Sequence, residues 1–287
     1  MKIALIGYGY WGKKIYQTLS SFISNENIFV VDPNIKDSNL TIKLKKIENI
    51  LSRKDIEHIL IATPEETHYE IALKCLKNKK NIFVEKPFCL KAHEASHLHQ
   101  LAQENNLQIF VDYVFLYDPY VKKIKKIIQE NKLGNLLKIE SIRHSANINK
   151  PNISVSDDLA IHDIYLGEYF FEKKISKTKI NKKTIMLKHA KEAKVVFYYD
   201  KKTLSADYSW IQPTSKRIMT FIGRAATLVW DKDEKKLLIY KNQKLTNKME
   251  VEKNKSPLEL SVKEFLFGKS NYNYRQDIEI LEKINYS

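Results

Sequence analysis

Cysteine is scarce in this chain of 287 residues: there are two, Cys75 and Cys89. Two cysteines build neither a disulfide framework nor a metal cluster, and a reducing cytoplasm is the simplest setting for them. Long apolar runs are missing as well. No stretch approaches the roughly twenty apolar residues that a membrane span needs, so no membrane partner is expected. The N-terminal apolar run is too short for a signal sequence and leads straight into a glycine turn. There is no internal repeat, no low-complexity linker, no metal-ligand spacing and no Ser-His-Asp nucleophile context. Glycine is sparse too, seven in all, yet three of the seven stand at positions 7, 9 and 12.

What is present describes a globular protein. The hydrophobic content of 43% and mean hydropathy of -0.42 suit one large or two ordinary domains with a sizeable core. The formal net charge is +15, from 49 basic and 34 acidic residues. Such an excess invites a nucleic-acid reading, which predicts strongly salt-dependent binding to duplex DNA. The lysines are dispersed, however, as in Lys122-Lys123, Lys125-Lys126 and Lys182-Lys183. They interleave with apolar residues at helical or strand spacing and read as solvated faces, so no nucleic-acid partner is expected. A basic field also favours a doubly negative small molecule such as a nucleotide sugar.

The glycines sit in an informative context. Lys2-Ile-Ala-Leu-Ile-Gly7 reads as a strand, Gly7-Tyr-Gly9-Tyr10-Trp11-Gly12 as a turn, and Ile15, Leu19 and Phe22 mark a helical face. Ile28-Phe-Val-Val-Asp32 is a second strand ending in an acid. This order of strand, glycine turn, helix, strand and acid is what a dinucleotide-binding fingerprint requires. Gly7 permits the tight turn, Gly9 lets backbone approach a pyrophosphate, and Gly12 lets helix and strand pack closely. The helix start offers free amides and the positive end of its dipole to the phosphates. Asp32 can accept hydrogen bonds from ribose hydroxyls and would repel a 2′-phosphate. NAD is therefore expected over NADP, with Lys36 nearby weighing the other way.

The pattern then repeats. Ile59–Ala62, Asn81–Val84 and Leu107–Val111 read as strands, and Glu65–Leu76 and Lys91–Asn105 as helices. Alternation at this interval predicts a doubly wound parallel sheet with ligands at its carboxyl edge. The rhythm changes after Asp118-Pro119. Val121–Gln129 and Asp157–Phe171 read as helices, Leu137–Asn147 as a strand, and Thr178 to Tyr240 as strand after strand. Two more helical stretches follow, Leu258–Phe267 and Asp277–Ile284. The expectation is a nucleotide-binding domain over residues 1–118, then an α+β domain over 119–287 with a large, mostly antiparallel sheet. Sites usually lie in the crevice between such domains. The exposed aromatic-rich sheet face points to a homodimer or homotetramer.

Several residues could carry chemistry. Glu85-Lys86-Pro87 follows the fourth strand, beside the expected nicotinamide. A lysine held there can polarise a carbonyl or stabilise an alkoxide; the plainer reading is a surface lysine in a lysine-rich chain. Asp158 and His162 are four apart on a helix and face the same way. A carboxylate beside an imidazole makes a general base; the plainer reading is a helix-start acid and a structural histidine. Thr63, Pro64 and His68 follow the third strand and could face the cofactor, although His68 also reads as structural. Tyr117, Arg143 and His144 are candidates for the substrate side.

Together these pieces resemble the glucose-fructose oxidoreductase/inositol dehydrogenase/MocA family along nearly the whole chain. The carriers are the glycine turn at 7–12, Thr63-Pro64 with His68 and Ala72, Glu85-Lys86-Pro87, and Asp158-Leu-Ala-Ile-His162-Asp163. The resemblance implies NAD(P) binding at Gly7, Gly9, Tyr10, Trp11, Gly12, Asp32, Thr63, Pro64, His68, Glu85 and Lys86. It implies hydride transfer at a sugar or polyol carbon, with Lys86, Asp158 and His162 as the catalytic set. Asp112-Tyr-Val-Phe-Leu-Tyr-Asp-Pro119 and Ser154-Val-Ser-Asp157 depart from the commonest family pattern. The first of these, with Asp158-Leu-Ala, resembles a nucleotide-sugar branch. That branch implies oxidation of UDP-N-acetylglucosamine at C3 to the 3-keto sugar. Two alternatives stay open: a dehydrogenase or reductase of another sugar or inositol, and a non-catalytic nucleotide-binding protein with the same fold.

Overall fold

A computed structural model of the chain describes residues 1–37, 39–146, 153–186, 189–252, 255–268 and 274–283. The backbone contacts divide it into two units.

The first unit is built on a six-stranded, wholly parallel sheet. Its elements run β1 (Lys2–Ile6), α1 (Tyr10–Ser20), β2 (Ile28–Val31), β3 (Ile42–Leu44), α2 (Glu48–Leu51), β4 (Ile56–Ile61), α3 (His68–Lys77), β5 (Asn81–Val84), α4 (Ala92–Glu104) and β6 (Ile109–Val111). The strand order is β3-β2-β1-β4-β5-β6, that of a dinucleotide-binding doubly wound sheet. Ile3, Ala4, Leu5 and Ile6 are all buried, as both faces of such a sheet carry helices. Past the strand ends the ladder continues: Gly7, Ala62, Glu85 and Asp112 donate their backbone N–H to Val31, Ile6, Ile61 and Val84 at 2.8–3.0 Å. The first residue beyond each strand is thereby fixed in place.

The second unit centres on Phe115–Asn254. It contains α5 (Pro119–Gln129), β7 (Leu136–Ala146), α6 (Val155–Phe171), β8 (Lys177–Met186), β9 (His189–Tyr199), β10 (Lys202–Ser209), β11 (Ile211–Gly223), β12 (Thr227–Asp231), β13 (Lys236–Lys241) and β14 (Lys244–Met249). The eight strands order as β14-β13-β12-β11-β7-β10-β9-β8. All pairs are antiparallel except β7 with β10. Alternation along β9, β12 and β13 buries one face, and α6 packs on β9, β10 and β7. Gly167 leaves room for the Tyr199 ring against α6, because a Cβ there would lie 2.8 Å from the ring's Cε2.

The fold class is as the sequence predicts. The extent of the second unit is not. Residues 255–282 return to the first unit through α7 (Pro257–Phe267) and α8 (Tyr274–Lys283). Ser256 caps α7 by accepting from the Glu259 N–H at 3.0 Å, and Pro257 takes the first helical position. Phe265 then packs on Phe83, Phe110 and His58, at 5.8, 6.0 and 5.4 Å between ring centroids. Burial of α7's apolar face on the first sheet outweighs chain order. Strand β14 was not predicted either. Its residues Lys-Leu-Thr-Asn-Lys-Met lack alternation and are mostly exposed. Its turn is Asn242-Gln243, both at positive φ, without the glycine that marks such hairpins. Asn147 and Ile284, the expected ends of two elements, lie outside the described residues.

Candidate functional site

The residues predicted for the cofactor gather at the carboxyl edge of the first sheet. Gly7 follows β1 with φ +92, a conformation that favours glycine. A Cβ at Gly12 would run into the Gly7 carbonyl, whereas a Cβ at Gly9 would meet nothing within 4 Å. Gly7 and Gly12 therefore pack against each other and Gly9 faces open space. No side chain caps α1 and its first turn holds no acid, so its leading amides are available to an anion. Tyr10 and Trp11 stand exposed on that turn, with the Lys14 ammonium 4.2 and 4.7 Å from their rings.

Asp32 follows β2 and is held by two backbone donors, the Tyr8 N–H (2.9 Å) and the Asn34 N–H (2.8 Å), one to each carboxylate oxygen. Each oxygen keeps a lone pair for a ribose hydroxyl. With Gly9 open, the α1 amides uncapped and Asp32 anchored, these residues fit a dinucleotide.

Thr63 and Pro64 follow β4. The Thr67 hydroxyl bonds the Thr63 hydroxyl at 2.8 Å and the Pro64 carbonyl at 2.7 Å. His68 is the exception among the expected cofactor contacts. It is 1% exposed, and its Nδ1 and Nε2 face the carbonyls of Pro87 (2.7 Å) and Thr63 (3.0 Å). Burial lowers its pKa while the two carbonyls pull the other way. Both ring nitrogens face carbonyls, the one that bears the proton donating, so His68 stands as a strut between the loop after β4 and the loop after β5. Glu85 and Lys86 follow β5. Glu85 is buried, its Oε1 lacks a hydrogen-bond partner, and burial followed by repulsion from Asp112 raises its pKa.

In the second unit, α6 carries Asp158 and His162, both half-buried. The His162 Nδ1 is 3.0 Å from the Tyr165 hydroxyl, and its ring packs on Phe115 at 4.8 Å. Phe115 also receives the Lys232 ammonium at 3.7 Å and the Arg143 guanidinium at 5.3 Å. A shallow hollow beside it is lined by Phe115, Arg143, Arg217, Trp230 and Lys232. Tyr165 and Phe115 were not singled out from sequence. The spacing from His162 to Tyr165 was visible, whereas Phe115 is near His162 only through the fold.

Arg143 and His144 do not share a site. Adjacent strand residues point to opposite faces, and each is committed on its own side. Arg143 forks onto Asp163, with Nη2 to Oδ1 at 2.7 Å and Nε to Oδ1 at 3.1 Å. Tyr208 donates to the same carboxylate at 2.8 Å. Burial opposes the Arg143 charge, and Asp163 raises its pKa against that. His144 instead pairs with Asp207 at 3.3 Å. Arg143 is thus held in place by Asp163 while it lines the hollow beside Phe115. Tyr117 is half-buried beneath the Lys122 ammonium, 5.5 Å from the ring centroid.

Cys75 and Cys89 are buried, and burial pushes both thiols up. Among the described residues no group of three or more His, Cys, Asp or Glu side chains is placed to hold a metal ion. No described helix is long and apolar enough to cross a membrane.

Residues 1–113 match the model of an oxidoreductase family with an NAD-binding Rossmann fold. Glucose-6-phosphate 3-dehydrogenase of Bacillus subtilis (strain 168) is 30% identical over 189 residues, 60% of this chain and 54% of that protein. Inositol 2-dehydrogenase of Mycolicibacterium gilvum is 24% identical over 198 residues, 64% of this chain and 56% of that protein. The matched part is about half the length of these curated relatives. In fold the chain is similar to UDP-N-acetylglucosamine 3-dehydrogenase GnnA from Acidithiobacillus ferrooxidans. The TM-score is 0.86 at 18% identity, over 98% of this chain and 94% of that one. The glycine turn and the anchored acid agree with the matched model: residues 1–113 are similar to the NAD-binding Rossmann domain of that oxidoreductase family.

Proposed function

We propose that the protein is an NAD-dependent dehydrogenase that oxidises the sugar of a nucleotide sugar, UDP-N-acetylglucosamine at C3. The observation that carries this reading is the position of Lys86. It follows β5 at the sheet edge that also holds the glycine turn and Asp32. Two similar proteins named above carry the designation 3-dehydrogenase, one of a sugar phosphate and one of a nucleotide sugar.

Bound NAD supplies the hydride acceptor. The Lys86 ammonium stabilises negative charge developing on the substrate oxygen. His162 takes the hydroxyl proton. In the tautomer that donates Nδ1–H to the Tyr165 hydroxyl, Nε2 is the basic nitrogen. Asp158, one turn earlier on the same helix face, favours the imidazolium that results. Lys232 lends positive charge to the hollow beside Phe115, which suits a phosphorylated substrate.

The test is NADH formation when purified protein meets NAD and UDP-N-acetylglucosamine. Persistent silence with nucleotide sugars, sugar phosphates, inositols and free hexoses would leave a non-catalytic nucleotide-binding protein as the better reading.

Two variants refine the proposal. Wild type should bind NAD more tightly than NADP, and Asp32→Ala should narrow that preference by about tenfold, as a like-charge clash with the 2′-phosphate disappears. Equal affinities in the wild type would remove Asp32 from this role. Lys232→Ala should raise KM for the nucleotide sugar about five- to tenfold with kcat nearly unchanged, the sign of lost uniform binding. An unchanged KM would place the phosphates elsewhere.

A further inference from the structure

Glu85 and Asp112 occupy the same position on neighbouring parallel strands, each one residue beyond its strand. Val84 is in register with Val111, and the Asp112 N–H is held by the Val84 carbonyl at 2.9 Å. Both side chains are buried, Glu85 at 8% exposure and Asp112 at 2%. Two carboxylates in such a place need donors or counter-charges, or else a proton. Donors are few. The Ser261 hydroxyl, fully buried on α7, donates to Asp112 Oδ1 at 2.6 Å, and the Lys86 backbone N–H acts on Glu85. The Glu85 Oε1 is buried without a partner. The charged groups acting on Glu85 are Asp112 from the end of β6, Lys86 from its own segment and Lys14 from α1. On Asp112 the acting group is Ser261 of α7.

We propose that Glu85, Asp112 and Ser261 form a proton-holding site at the carboxyl edge of the first sheet. At neutral pH the two carboxyls retain at least one proton between them. Through the Ser261 hydroxyl, α7 sets how firmly it is held. Burial raises both carboxyls, and for Glu85 the neighbouring Asp112 adds to the rise. A proton held at the site lowers the negative charge that Glu85 presents to Lys86. Asp112 and Ser261 act as positioning residues, with their effect reaching Lys86 through Glu85.

The proposal goes beyond hydride transfer and stands without it, because its test reads protonation directly. Carboxyl-carbon NMR of the full chain, labelled at Asp and Glu, is followed from pH 5 to 9. Two resonances should titrate near neutrality, assigned by their loss in Glu85→Gln and Asp112→Asn. In Asp112→Asn the remaining Glu85 resonance should titrate about one unit lower, as the like charge is gone. In Ser261→Ala the Asp112 resonance should titrate about one unit higher, as its ionised form loses a donor. These opposite directions separate a proton-holding pair from two buried acids with only a packing role. Both carboxyls fully ionised at pH 5 in the wild type would overturn the proposal.

Thermal unfolding gives a second measurement. Both groups have folded pKa values above their unfolded ones, so their stabilising contribution is complete below the ordinary carboxylate range and is lost as pH rises through the folded pKa values. Asp112→Asn should therefore gain in Tm relative to wild type between pH 5 and 9. A constant difference would count against the site, even if one variant folds poorly.

Discussion

Lys86→Ala is expected to lower kcat by about 10²- to 10³-fold while NAD affinity changes by no more than about threefold. In the proposed reaction the lysine stabilises charge on the substrate oxygen, and alanine removes the only cation that the Glu85-Lys86-Pro87 segment offers. In the same proposal the adenosine and pyrophosphate half of the cofactor lies elsewhere, on the open Gly9 turn, the uncapped α1 amides and Asp32. His162→Ala should show the same split, with a loss of about 10²–10⁴-fold for a proton-transfer residue. Stopped turnover together with intact cofactor titration is the diagnostic pair. Full activity in either variant would sink the assignment, and loss of NAD binding in both would move these residues from chemistry to cofactor binding.

Asp163→Ala should act on stability. Asp163 is wholly buried and takes the fork of Arg143 and the hydroxyl of Tyr208. Removing it leaves the guanidinium, whose side chain is 12% exposed, without its partner. Breaking a buried pair from one side costs about 3–5 kcal/mol, a fall in Tm on the order of 10 °C for a protein of this size. The double variant Arg143→Met, Asp163→Leu should recover much of that, because it removes both charges at once. Lys86→Ala, at the sheet edge, should melt with the wild type. A fall of under about 1 kcal/mol in Asp163→Ala, a size typical of exposed pairs, would mean the pair is wetter than its geometry implies.

Much of this was legible because the first unit is local in sequence. Each strand is followed at once by its own loop, and Gly7, Asp32, Thr63 and Lys86 reach one edge by parallel order alone. The second unit is less legible. Alternation announced β9, β12 and β13, but β14 is a polar edge strand and its turn has no glycine. Arg143 read as a candidate for the substrate side; its partner Asp163 lies twenty residues on, and only the fold brings the two together. Ser261 carried no signal at all. An isolated serine on an apolar helix reads as a filler until the helix docks. Asp112 opens a segment that departs from the commonest family pattern, and its carboxylate accepts from the Ser261 hydroxyl of α7.

The return of α7 to the first sheet also bears on how this chain is made. During synthesis the six parallel strands leave the ribosome early, yet the helix that covers Phe83 and Phe110 is encoded about 140 residues later. At ~5–20 residues per second that is a wait on the order of ten seconds. Through that interval the nascent sheet holds an uncovered aromatic face, and Asp112 lacks the hydroxyl that solvates it. The first unit is thus the first to be translated and cannot be finished before the second has been read through. Chaperone occupancy on ribosome-bound chains should persist past residue 114 and fall only once α7 has emerged.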